Sequence, residues 1–344
     1  MGMDDFQFCQ ILPKVELHAH VSGCIRPATL NEWLPAPEKG LIATRPFTFA
    51  VFGLIHSAID SLDKVQRVVR EAIEDFHADG VIYLELRSTP RSFPQTSNVP
   101  ATTKYDYIRR VLSTARTCMT RRDLSGITVR FIVSIDRSKP ANDALDTLKV
   151  LNSIDDDYIV GIDLSGDPRC QSSPLDEFLY MFAQQKNRHK LTIHFGEHWN
   201  IDELDKILRI GPDRLGHACC IGDDVLDIIQ SRHIPVEVCL SSNVVVLADR
   251  GCFCCHSESN SCSSDICSKC NDWRELGDRK SPCLCVYGAH RLGALIKDGV
   301  SPMCICTDDP GVFAVSSTIE HLRALRSFSL SRKQLLNLVH RSVP

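Results

Sequence analysis

Residues 62–87 read LDKVQRVVREAIEDFHADGVIYLELR. Leu62, Val65, Val68, Val69, Ala72, Ile73 and Phe76 recur at spacings of three and four, the period of a helix with one apolar face. Gly80 closes that helix, and Val81–Arg87 follows with the short apolar pattern of a buried strand. Helix, glycine and strand in immediate succession make one unit of an α/β fold.

The same unit recurs on both sides. Strands are predicted at Val15–His18, Val81–Arg87, Thr128–Ile135, Ile159–Leu164, Lys190–His194, Arg214–His217, Pro235–Leu240 and Met303–Cys306. Helix-period segments fill most of the gaps, beginning near Ala141, Pro174, Ile201, Gly222 and Ala289. Alternation repeated about eight times implies a parallel sheet, and at that count a closed (β/α)8 TIM barrel is favoured over an open sheet. The 344 residues then form a single barrel domain, 1–344.

Composition narrows the function. Apolar residues make up 43% and charged residues 24% of the chain, ordinary for a globular protein with a sizeable core. The net charge of −4 comes with no long basic run, so a nucleic-acid partner has no electrostatic footprint. No apolar run approaches membrane-spanning length, and the first residues lack a secretory pattern. A cytoplasmic, monomeric enzyme acting on a small molecule is the expectation. Of the 17 cysteines, Cys252, Cys254, Cys255, Cys262, Cys267, Cys270, Cys283 and Cys285 crowd one stretch. Cys267 and Cys270 form a C-x-x-C pair there, and Cys252, Cys254, Cys283 and Cys285 offer further thiolates. Residues 250–286 are expected to be a Cys-rich insertion between strands seven and eight, a disordered insert or translated non-coding sequence in preference to a structural metal site.

Polar residues in a parallel barrel are costly unless partnered, and here they cluster at strand ends: HAH (18–20), RST (87–89), DLSGD (163–167), HFGEH (194–198), GHA (216–218), SSN (241–243) and TDD (307–309). The C-terminal ends of barrel strands are where catalytic groups sit. His18 and His20 lie two apart on one strand, so their imidazoles share a face. With His194 and Asp308 they make a three-nitrogen, one-carboxylate set that suits zinc with a water in the open position.

PKVELHAH (13–20), HFGE (194–197), RLGH (214–217), SSN (241–243) and TDDP (307–310) resemble, in order and spacing, the adenosine deaminase family. ELRSTPR (85–91) and CICTDDPGVF (304–313) are most similar to its adenosine deaminase-like branch, which acts on N6-methyl-AMP and related N6-alkyl nucleotides. The resemblance implies a barrel of the metal-dependent hydrolase type with one Zn2+ per chain on His18, His20, His194 and Asp308. It implies that His217 orients the attacking water and assists its deprotonation, that Glu197 protonates ring nitrogen N1, that Asp309 contacts N7, and that the backbone of Gly166 contacts N3. Zinc would lower the pKa of water from 15.7 towards roughly 7. Nucleoside deaminases of the family carry an acid after H-x-H; Ser22 stands there instead, compatible with a 5'-phosphate that a carboxylate would repel. Thr89 and Arg91 follow strand two as a candidate phosphate cradle, with Arg26 a second cation. Phe47, Phe49, Phe52 and Ile55 are candidates for an apolar lid or for core. Family members continue beyond the amphipathic run Gln334–Val339, so apolar surface is expected to be left uncovered there. The competing readings are deamination of adenosine or adenine, and a non-catalytic zinc- or purine-binding protein.

Overall fold

The computed structural model describes residues 2–39, 50–95, 100–249, 287–297 and 302–342. The expected insertion 250–286 and the lid candidates Phe47 and Phe49 lie outside them. Eight parallel strands run in chain order around one sheet: β1 (Lys14–His20), β2 (Val81–Ser88), β3 (Thr128–Asp136), β4 (Ile159–Ser165), β5 (Lys190–Phe195), β6 (Arg214–His217), β7 (Val236–Val238) and β8 (Met303–Ile305). All eight expected strands are present. β7 is shorter than its apolar run because Leu240 already begins the next helix, so Ser241, Ser242 and Asn243 sit on a first helical turn.

The barrel closes where β1 meets the residues after β8. Asp308 N donates to His18 O (2.9 Å) and His20 N donates to Asp308 O (3.0 Å), making a parallel bridge between Ala19 and Asp308. Helices wrap the outside: α1 (Asp5–Ile11), α2 (Pro27–Trp33), α3 (Ala50–Ala58), α4 (Leu62–Ala78), α5 (Lys104–Thr120), α6 (Ala141–Asn152), α7 (Leu175–Gln185), α8 (Ile201–Ile210), α9 (Asp223–Ser231), α10 (Leu240–Asp249), α11 (Leu292–Lys297), α12 (Pro310–Phe313), α13 (Ser317–Ser327) and α14 (Arg332–Arg341). Among the described residues no helix is long and apolar enough to cross a membrane.

In α4 the Ser61 hydroxyl accepts from Lys64 N at the N-cap, while Val65, Val68, Val69, Ala72, Ile73 and Phe76 are buried. Gly80 then takes φ +80°, a left-handed conformation that costs a residue with a Cβ. A side chain there would also meet Lys14 Nζ at 3.0 Å. That buried ammonium donates to the carbonyls of Cys9 (2.9 Å), Gln10 (3.2 Å) and Leu12 (3.1 Å), so it caps α1 beneath the barrel. Helix α14 lies against β8 and buries Leu335 and Val339, so the expected uncovered run has its apolar side against the barrel.

The apolar core lies between strands and helices, whereas the barrel interior is ionic. Arg87 donates to Glu237 (2.7 Å) and Leu17 O (2.5 Å), and its other nitrogen is 3.3 Å from Asp163. Arg214 pairs with Glu85 and, at 3.0 Å, with Glu237. Buried charges persist only when paired and hydrogen-bonded. Here the pairs form a platform beneath the strand ends.

Candidate active site

Four imidazoles meet at the C-terminal mouth. Of the six ring pairs among His18, His20, His194 and His217, all but His20–His217 have centroid separations of 4.7–5.3 Å. Period-two alternation on β1 sends His18 and His20 inward together with Glu16. His194 comes from β5 and His217 ends β6. Two of the residues here hold strained backbones: His217 at φ +67° and Asp308 at φ +63°. Left-handed conformations in non-glycine residues cost energy and persist where the surroundings enforce them, often at functional sites.

Hydrogen bonds from below fix which ring nitrogen faces the centre. His18 Nδ1 donates to Glu237 Oε2 (2.7 Å), which leaves Nε2 as a bare lone pair, buried and without a partner. His194 Nδ1 donates to Asp163 Oδ1 (2.9 Å), while Ser134 donates to the other Asp163 oxygen (2.9 Å). Burial works against a charged His194, but Asp163 outweighs it and pushes the imidazole up to about 9. His20 Nε2 lies 3.1 Å from His194 Nε2. Asp308 accepts from Ser242 Oγ (2.6 Å) through Oδ2 and turns Oδ1 to within 3.6 Å of His18 Nε2 and 3.5 Å of His20 Nε2. Three inward nitrogens crowded against each other and one carboxylate oxygen make a donor set that repels itself unless a cation is shared. This set fits zinc, with carboxylate-backed imidazoles of the kind that hold such ions. Cys239 lies behind it, its sulfur within 4.8 Å of ligating atoms of His18, His217 and Asp308.

The residues expected to handle protons border that centre. Glu197 Oε1 stands 3.7 Å from His217 Nε2. Gly196 before it takes φ +63°, which turns the chain sharply between His194 and Glu197. Asp309 is buried, and its Oδ1 has no hydrogen-bond partner. Burial and the adjacent Asp308 raise its carboxyl well above the usual range. Gly166, at φ +93°, follows β4 on the same face.

The outer candidates divide. Ser22 follows β1 and Thr89 follows β2; the two strands pair His20 with Arg87, so these residues lie on neighbouring chain ends. Arg91 does not turn to the mouth: it donates to His56 O (2.9 Å) and Ile59 O (2.8 Å), holding the end of α3. Arg26 is taken up by Asp75 at 2.7 Å and 2.9 Å. Ile55 is fully buried core and Phe52 is half-buried against it.

These geometries agree with comparisons to known proteins. A family model described as Adenosine deaminase matches residues 46–250. The chain belongs to the adenosine deaminase family. Membership sets the class of chemistry, hydrolytic cleavage of a C–N bond. Within the family, the chain is 30% identical to the N6-mAMP deaminase of Arabidopsis thaliana over 98% of its own length and 93% of that protein's. It is 29% identical to the N6-methyl-AMP deaminase of Homo sapiens, over 98% and 89%. A crystal structure of Arabidopsis ADAL complexed with IMP superposes with a TM-score of 0.77 at 30% identity, covering 98% of this chain and 92% of that one.

Sequence reading missed the residues that orient this deaminase site from below. Glu237 stands unflagged in an apolar strand, while Arg87 and Asp163 fall in the strand-end runs RST and DLSGD but lie within β2 and β4 and point beneath the site. The available clue was a carboxylate in the middle of PVEVC (235–239), which a parallel barrel tolerates only with a partner. His290, buried and bonded to Asn243 (3.1 Å), had no such clue in the sequence.

Proposed function

We propose that this protein hydrolyses the C6–N bond of an adenine 5'-monophosphate, with N6-methyl-AMP as substrate and IMP and methylamine as products. The observation that carries the reading is the convergence of His18, His20, His194 and Asp308 beside Glu197, His217 and Asp309. One Zn2+ held by those four residues would supply a water of lowered pKa at neutral pH.

The chain's own residues account for the remainder. Glu197 delivers a proton to N1, which draws electron density from C6 and opens it to attack. Asp309, whose carboxyl is raised by burial, contacts N7, and the Gly166 backbone amide donates to N3. His217 positions the attacking water. Together these contacts hold the purine edge-on, with C6 turned to the nucleophile.

Ser22 supports a monophosphate. A carboxylate at that position would repel the phosphate, whereas the serine hydroxyl and Thr89 can each donate to it. Arg91 instead holds the end of α3 through the carbonyls of His56 and Ile59. The protein is read as a cytoplasmic monomer with neither nucleic-acid nor membrane partners.

The test is a substrate panel on metal-analysed protein. N6-methyl-AMP should be turned over faster than AMP and much faster than adenosine, with methylamine and IMP in equal amounts. Faster turnover of adenosine would overturn the monophosphate reading, and an unaltered rate in Glu197→Gln would overturn the proton-transfer scheme.

A further inference from the structure

Behind His217 lies a buried chain of hydrogen bonds whose direction is set at its far end. Leu292 N donates to His290 Nδ1 (2.9 Å). A backbone amide can only donate, so His290 Nδ1 carries no proton. Burial pushes this imidazole down to about 3, so it is neutral and its one proton is on Nε2. That nitrogen lies 3.1 Å from Asn243 Oδ1 and donates to it. The carbonyl end of Asn243 is thereby turned to His290, and its amide end lies 3.0 Å from His217 Nδ1. An amide NH2 also only donates. His217 Nδ1 must accept, so neutral His217 carries its proton on Nε2, the buried nitrogen facing Glu197.

We infer that His290 is a positioning residue that, through Asn243, locks His217 as the tautomer whose Nε2–H points into the active site. The inference rests on the deaminase reading for its catalytic meaning, but its geometry stands apart from it. Two consequences follow for the reaction. His217 meets the attacking water as a hydrogen-bond donor, which holds a lone pair of that oxygen towards C6. The proton the water loses cannot go to a nitrogen that already bears one; it passes to the Glu197 carboxylate, whose Oε1 is 3.7 Å away. Glu197 then gives that proton to N1, so water is added across the C6–N1 bond with no net change at the enzyme.

Histidine tautomers are read directly by long-range 1H–15N correlation on protein labelled with 15N-histidine, with the His217 signals assigned by their loss in His217→Gln. In the zinc-loaded wild type, His217 should show an unprotonated Nδ1 and a protonated Nε2. Asn243→Asp keeps the shape but replaces the donor with a carboxylate that accepts from both neighbours. It should move the His217 proton to Nδ1 and lower kcat by roughly 10²-fold with little change in KM. His290→Leu should lower kcat similarly, and His290→Gln, which can both accept from Leu292 and donate to Asn243, should restore most of it. A wild-type His217 protonated at Nδ1 would overturn the inference, as would a folded Asn243→Asp with wild-type kcat. If His290→Leu does not fold, the wild-type spectrum and Asn243→Asp still decide. Should the wild type show the stated tautomer yet turn over no purine, the deaminase reading fails and the hydrogen-bond assignment survives.

Discussion

Gly166 has no space for one further carbon. A Cβ there would lie 2.3 Å from Asp136 Oδ1, on a backbone at φ +93° that disfavours side chains. Gly166→Ala must therefore displace the strand end that faces the purine, and turnover should fall by well over tenfold while the unfolding midpoint drops only modestly. Steady-state kinetics beside a urea titration separates the two effects. Asp163→Asn probes the support of the metal centre: it weakens the bond that holds His194 and removes a partner of Arg87. Loss of such supporting hydrogen bonds typically costs 10–100-fold in metal affinity, measurable by competition with a chromophoric chelator. The proposed ligands could be picked out of the sequence because each stands at a strand end, in the register that faces the barrel mouth. The supporting roles of Asp163, Glu237 and His290 could not, since they depend on partners far away in sequence: Arg87 and Glu237 lie 150 residues apart, and no local pattern encodes that pairing.

Helix α8 shows how an element is aimed at the site. Asn200 caps it by accepting from Glu203 N (3.3 Å), and Glu203 itself is buried in a two-pronged pair with Arg137 just beyond β3 (2.8 and 3.0 Å). The pair fixes the start of the helix, three residues after Glu197, against a strand on the other side of β4. Glu203→Ala strands a buried guanidinium, and breaking such a pair costs roughly 3–5 kcal/mol. Urea unfolding should register a loss of that order, while Arg137→Met combined with Glu203→Leu should recover much of it. The sequence announced most elements correctly, because apolar periods of two and three to four are local properties. It placed the SSN residues at a strand end, whereas they open α10: a short apolar run such as PVEVCL does not say where strand gives way to helix. Arg91 illustrates the same limit. A cation beside hydroxyls invites a phosphate, but in the folded chain its fork is spent on two helix-end carbonyls.

Across the whole molecule the metal centre draws on β1, β5 and the segment after β8, so an ion bound there ties the two ends of the sheet together through side chains. Anything that binds only the folded state stabilises it by mass action. Removal of the metal with a strong chelator should abolish activity and lower the thermal midpoint by several degrees, and added zinc should restore both; calorimetry on matched samples tests this. A chelated protein melting at the same temperature as the loaded one would show that the cage is rigid without its ion.

The stitch between β1 and Asp308 also says something about birth. His18 leaves the ribosome long before Asp308, yet the same two backbones complete the barrel and present the proposed ligands. Contacts so distant in sequence form late in folding. A nascent or partly unfolded chain therefore cannot assemble a competent centre before β8 has joined the sheet, and purine turnover becomes a report that the barrel has been correctly closed.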